Sequence, residues 1–260
     1  MQILLTNDDG IYAPGLAAME RALARLGEVC VVAPAVEQSG VGHSITFLMP
    51  LMAKEIYDGE RRRGWAVEGS PADCIKLALS EFCPRPDLVV SGINGGLNLG
   101  INVLYSGTVA GATEGAVFGI TSVAVSLEYD EHAQFDRAAE MAVGLIEQIL
   151  QQNDVGNHAL YNINIPTVAM RRPTEVRVVP MATVGWPAEF DRRVDPKGRR
   201  YYWAMGTLAV PETGEMTDLE AWQKGFITLT PLRIDRTETK MLQRMYDWKL
   251  SLGPAPSKPT

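Results

Sequence analysis

Hydrophobic and polar positions alternate between two textures along the first 165 residues. Short unbroken apolar runs at Ile3-Leu4-Leu5-Thr6, Val29 to Ala33, Asp87 to Ser91, Ser122 to Leu127 and Leu160 to Ile165 are bounded by Gly, Pro, Asn and Asp. Each predicts a strand buried on both faces. Between them the apolar spacing turns helical. Pro14 opens a segment with Leu16, Met19, Leu23 and Leu26 on one face, stopped by Gly27. Ser70 as N-cap and Pro71 in the first turn start a helix running to about Phe82. Thr108 to Phe118 carries small residues suited to close packing on a sheet, and Phe135, Ala139, Ala142, Ile146 and Ile149 mark a long amphipathic helix. Strand and helix alternating in this way predict an α/β fold with a mainly parallel sheet covered on both faces.

Two stretches break the alternation. Residues 44 to 68 read as extended chain, a hairpin turning at Asp58-Gly59. After Pro166 the texture changes: residues 185 to 216 are rich in Gly, Pro, Arg and aromatics without helical period and predict projecting loops and hairpins. Phe226 to Leu232 then reads as a strand and Thr239 to Leu252 as a terminal helix with Met241, Leu242, Met245 and Trp248 on one face, followed by a frayed tail from Gly253. A chain of 260 residues supports one large domain, here a core of about residues 1–180 with an appended region of about 181–255.

Composition narrows the function. The net charge of −7 argues against a nucleic-acid polymer as partner, and an anionic substrate would need a local reversal of potential, which a bound cation provides. No apolar run is long enough to span a membrane, and the opening residues carry no basic stretch, so the expectation is a cytoplasmic protein. Cys30, Cys74 and Cys83 form no CxxC pair and sit in apolar contexts, as reduced buried thiols do.

Three loops carry the candidate chemistry, each following a predicted core strand, where open α/β sheets bind ligands. Asn7-Asp8-Asp9-Gly10 sets two carboxylates side by side; it reads either as a solvated turn or as a site where a cation offsets their repulsion. Glu37 to Ser44 places the Ser39 hydroxyl among Gly40 and Gly42, whose amides can approach an anion, and adds His43. Ser91 to Gly100 is rich in Gly and Asn, and beyond it Tyr105-Ser106-Gly107-Thr108 opens a helix whose amides and hydroxyls offer a phosphate seat, or simply an N-cap. Carboxylate, hydroxyl and amide oxygens, without a thiolate cluster or paired histidines, favour Mg²⁺ or Mn²⁺ over structural zinc. A cation beside a phosphate seat points to metal-assisted hydrolysis of a phosphate ester. The Walker pattern GxxxxGK[ST] is absent.

The chain resembles the SurE family, the survival-protein nucleotidases. The likeness lies in Ile3 to Gly15, in Val32-Ala33-Pro34 with Gln38-Ser39-Gly40, in Gly69 to Cys74, in Pro86 to Asn94 and in Tyr105 to Ala110, with Thr217-Asp218 and Gly225 to Leu232 late in the chain. The resemblance implies a Rossmann-like three-layer core. It implies 5′-nucleotidase activity on nucleoside monophosphates, with 3′-monophosphates and short polyphosphate as side substrates. One divalent cation, Mg²⁺ or Mn²⁺, would be held by Asp8, Asp9, Ser39 and Asn94, with Asp8 and Asp9 also the catalytic pair. Gly40, His43, Asn98, Ser106, Gly107 and Thr108 would meet phosphate or substrate, His43 either as proton donor to the leaving oxygen or as a contact only. Homodimers or homotetramers would form through a projecting hairpin and an exchanged C-terminal segment, which residues 185 to 216 and the terminal helix would supply. A non-catalytic nucleotide sensor sharing the phosphate seat is the alternative function, and a nucleotide-sugar transferase a further one.

Overall fold

The computed structural model describes residues 1–83, 85–131, 133–152, 159–184, 189–205, 215–248 and 250. Its strands are β1 (Gln2–Thr6), β2 (Glu28–Pro34), β3 (Ala53–Asp58), β4 (Arg61–Val67), β5 (Leu88–Gly95), β6 (Thr121–Leu127), β7 (Leu160–Ile165), β8 (Val176–Val178), β9 (Glu189–Val194), β10 (Arg200–Met205) and β11 (Ile227–Leu232). The α-helices are α1 (Pro14–Leu23), α2 (Pro71–Leu77), α3 (Gly107–Val117), α4 (Phe135–Leu150), α5 (Asp218–Gln223) and α6 (Thr239–Met245). Nine strands make one sheet in the order β3-β4-β2-β1-β5-β6-β7-β11-β8. From β4 to β7 every neighbouring pair is parallel; β3 and β11 run antiparallel to β4 and β7.

The buried strands divide their residues between two apolar layers, because successive side chains point to opposite faces. Ile3 and Leu5 of β1, with their register partners Leu88 and Val90 on β5, pack with α1 and α4, whereas Leu4, Val32 and Val89 pack with Cys74 and Ile75 of α2. The α/β expectation of a mainly parallel sheet between helical layers therefore holds. β1 lies near the middle, and the chain leaves it for β2 on one side and later arrives at β5 on the other. That reversal opens a crevice beyond the carboxyl ends of β1 and β5.

Several expectations are corrected. Residues 44 to 52 are not strand: β3 starts at Ala53, because β4 supplies a partner only over Arg61–Val67, and Phe47, Leu48 and Met49 lie exposed. The hairpin turns at Gly59-Glu60, between Asp58 and its partner Arg61. The loop expected directly after Ser91 begins later, since β5 continues to Gly95 by pairing Asn94 and Gly95 with Ser126 and Leu127. The helix from Ser70 does reach Phe82, but its last turn is a π-helix, closed by the Cys83 amide on the Ala78 carbonyl (2.7 Å). The terminal helix stops at Met245 and buries none of its residues. β8 and α5 had no expected counterpart, and β11 returns from the late region to the main sheet. A hairpin, β9 with β10, stands apart from that sheet; residues 185–188 and 206–214 of the expected hairpin region, and the tail from Gly253, lie outside the described residues.

Candidate active site

Local bonding gathers the predicted loops at the crevice. Gly10 takes a φ of +100°, a conformation that residues with a Cβ rarely adopt, and the Asn7 side-chain nitrogen donates to its carbonyl (3.0 Å), so the turn after β1 is closed. The Gln38 amide donates to the Asp8 carbonyl (2.7 Å), drawing in the loop after β2. The Gly95 amide donates to Asp9 Oδ2 (3.0 Å), which adds the end of β5. Gly42 donates to the Tyr105 carbonyl (2.9 Å) and joins the second loop to the approach of α3.

Asp8 sits at the amino end of α3. It is 4% exposed, and the Thr108 hydroxyl donates to its Oδ1. Gly107 makes this approach possible, since a Cβ there would come within 2.8 Å of the Asp8 Cβ. Ser106 caps the helix by accepting from the Val109 amide (3.1 Å). The positive end of the helix dipole thus meets a carboxylate supplied by the chain itself. These donors do not suffice to keep Asp8 an ordinary acid. Burial pushes its pKa up to about 6, the Thr108 hydroxyl pulls it back, and the neighbouring Asp9 adds to the rise. Asp9 is also raised, by burial first, with the Gly95 amide opposing and Glu37 contributing repulsion.

The other predicted residues take distinct places. Ser39 is exposed and donates its hydroxyl to Glu37 Oε1 (2.7 Å). Asn94 turns its amide nitrogen to the Gly96 carbonyl (2.6 Å), leaving its side-chain oxygen free of that bond. Gly40 is open to solvent. Asn98 is buried: its backbone amide donates to Asn164 Oδ1 (2.8 Å), its side chain donates to Ser126 (2.8 Å), and its carbonyl accepts from Asn162 (2.8 Å). His43 is engaged with Glu114 rather than with the carboxylate pair, its Nε2 at 2.6 Å from Glu114 Oε2.

Four participants escaped the sequence. Glu37 was quoted only as the start of a loop. Asn162 and Asn164, which hold Asn98, lie inside the strand expected over Leu160 to Ile165, where two Asn spaced by two on one face of a buried strand signal a polar network. Glu114 was hidden in a helix of small residues, where a lone acidic side chain on a packed face needs a partner.

The arrangement fits a hard divalent cation. Two adjacent carboxylates with raised pKa values have only neutral donors as hydrogen-bond partners, and the segments bonded to them carry a hydroxyl, Ser39, and a side-chain amide, Asn94. Among the described residues no cluster of three or more His, Cys, Asp or Glu side chains could hold a metal, so neutral oxygens would have to complete any coordination.

The family model for "Survival protein SurE" matches residues 3–187. The chain belongs to the SurE family. The match contains every residue described at the crevice, from Asn7 to Asn164. A relative from Rhodopirellula baltica, 5′-nucleotidase SurE, is 54% identical over 252 residues, 96% of this chain and 99% of that one. The protein of the same name from Desulforudis audaxviator is 43% identical over 253 residues, 95% of this chain and 97% of its own length. The crystal structure of SurE protein from Aquifex aeolicus superposes with a TM-score of 0.81 at 36% identity, covering 95% of this chain and 99% of that one. The SurE likeness thus extends past the family-model match into the region of α5, β11 and α6.

Proposed function

We propose that the chain is a divalent-cation-dependent phosphomonoesterase that releases phosphate from nucleoside 5′-monophosphates. The observation carrying this reading is the Asp8–Asp9 pair, held side by side at the switch point with raised pKa values, beside the amino end of α3. The 5′-nucleotidase names of full-length relatives support it. Asp8, Asp9, Ser39 and Asn94 would hold one cation, Mg²⁺ or Mn²⁺, which when bound supplies charge neutralisation for the phosphate oxygens. Ser106 and Gly107, with Asn98 and Gly40, would orient the phosphate through amide and hydroxyl donors, while Thr108, the other expected phosphate contact, gives its donors to Asp8. The Thr108 hydroxyl holds Asp8 in place, which favours water over Asp8 as the nucleophile. Trapping of a phosphorylated enzyme by rapid quench would instead assign the attack to Asp8.

Subunit contacts in this reading come from the exposed aromatics of the β9–β10 hairpin, Phe190, Tyr202 and Trp203, and from α6, giving a homodimer or homotetramer. Among the described residues no helix is long and apolar enough to cross a membrane, and we place the enzyme in the cytoplasm. The deciding assay is inorganic phosphate release from AMP or GMP with Mg²⁺ or Mn²⁺, with and without chelator. Chelator-sensitive release is the expected result; no release from any monophosphate would favour the sensor.

A further inference from the structure

Along the flank of α3 lies a cavity of about 860 Å³, within the range of small-molecule sites. Ser106, Val109 and Thr113 line it at helical spacing, so it runs from the amino end of α3, where the phosphate is proposed to sit, down one side of the helix. Met181 and Leu232 give it apolar wall. Its polar wall includes a cluster the hydrolysis itself does not use, His43, Lys76 and Glu114, and Arg233 and Arg236 also line it.

Glu114 organises that wall. It is buried, and both oxygens are engaged, Oε2 with His43 Nε2 at 2.6 Å and Oε1 with Lys76 Nζ at 3.0 Å. The loop carrying His43 is pinned on both sides, by Gly42 on the Tyr105 carbonyl, by the Ser70 hydroxyl on the Ser44 carbonyl (2.7 Å) and by the Thr46 amide on Asp73 Oδ1 (2.8 Å). With its Nε2 proton directed to a carboxylate, the imidazole keeps Nδ1 for a ligand, and in the neutral ring that nitrogen accepts a hydrogen bond. A sugar hydroxyl is the donor that such a nitrogen meets, and the apolar wall suits a flat base.

We propose that this cavity receives the nucleoside half of the substrate, with His43 contacting the ribose and Glu114 acting as the positioning residue behind it. The inference rests on the phosphomonoesterase reading above. It assigns His43 to binding rather than to protonation of the leaving oxygen.

The test compares AMP with p-nitrophenyl phosphate, which has no nucleoside, in the wild type, Glu114→Gln, His43→Ala and Thr113→Trp, the last of which fills the cavity. His43 is on an exposed loop, so its variant keeps the test valid if Glu114→Gln folds poorly. The ratio of kcat/KM for AMP to that for p-nitrophenyl phosphate is expected to fall about tenfold in each variant, through KM for AMP rather than kcat; tenfold corresponds to about 1.4 kcal/mol. An unchanged ratio overturns the proposal. So does a loss confined to kcat for AMP, which would make His43 the proton donor. Equilibrium dialysis of adenosine gives a readout independent of turnover: binding to the wild type and its loss in Thr113→Trp is expected, and equal binding by both overturns the proposal. If the wild type hydrolysed neither phosphate ester, the enzymatic reading would fall, and the dialysis would still decide the cavity.

Discussion

Two buried carboxylates touch α3, and they are treated in opposite ways. Asp8 at its amino end is 4% exposed and Glu114 on its flank is 5% exposed, so burial penalises both charges, Asp8 the more because it lies deeper in the protein. Glu114 is given a lysine ammonium and an imidazole N–H, and although burial pushes its carboxyl up, the bonds to His43 and Lys76 outweigh that and hold it below the usual carboxylate range. Asp8 is given a hydroxyl, an amide and a second carboxylate, and it stays raised to about 6. The chain can complete a buried acid when the acid is structural. At the crevice it leaves the charge of Asp8 and Asp9 uncompensated by any basic side chain of its own among the described residues, a deficit that the proposed cation would fill.

The largest effect should come from deleting the uncompensated charge. Asp8→Asn is expected to lower kcat for AMP by on the order of 10²–10³-fold or more in saturating Mg²⁺. Asn keeps the shape and an oxygen to accept from Thr108, so the circular dichroism spectrum should match the wild type. Near-normal turnover would break the comparison at its catalytic end.

The next effect is on stability. The wild type should gain about 2.7 kcal/mol from a divalent cation at a hundred times its dissociation constant. Asp8→Asn should gain far less. Denaturant titration with and without Mn²⁺ measures both, and an equal gain in the two proteins would place the cation elsewhere.

Much of this contrast was legible in the chain. Asn-Asp-Asp-Gly after an apolar run, and Ser-Gly-Thr ahead of small residues at helical spacing, announce two ends of one site because strand ends and helix starts share an edge of a parallel sheet. Register is a different matter. Glycines 92, 95 and 96 read as loop, yet β6 reaches far enough to pair with Asn94 and Gly95, and pairing length is a property of the neighbour. β11 reads as a strand, but its antiparallel place beside β7 depends on the path taken by α5 and the segment before it. Glu114 was silent for the same reason: its partners His43 and Lys76 are 71 and 38 residues away.

The sharpest small test sets the two acids against each other with the same chemical change and no cation present. The folded-state pKa of Asp8 lies above its unfolded value, so its ionised form costs stability. That cost is absent below about pH 4, grows as pH rises and is full above about pH 6. Asp8→Asn should therefore stabilise the cation-free protein at pH 7 by on the order of 2 kcal/mol, with the gain vanishing toward pH 4. Glu114 has the reverse sign: its folded-state pKa is depressed, so the ionised form adds stability above its unfolded pKa and loses it as pH falls through the lowered value. Glu114→Gln should cost about 2 kcal/mol at pH 7, the worth of a charge-assisted bond in a buried site. Lys76→Met should cost only about 0.5 kcal/mol, because the lysine side chain is 44% exposed and water screens it. Urea melts of the three variants at pH 5 and 7 in chelator give all the values. If Asp8→Asn and Glu114→Gln shifted stability in the same direction, the two carboxylates would be treated alike, and the argument from missing charge would lose its ground.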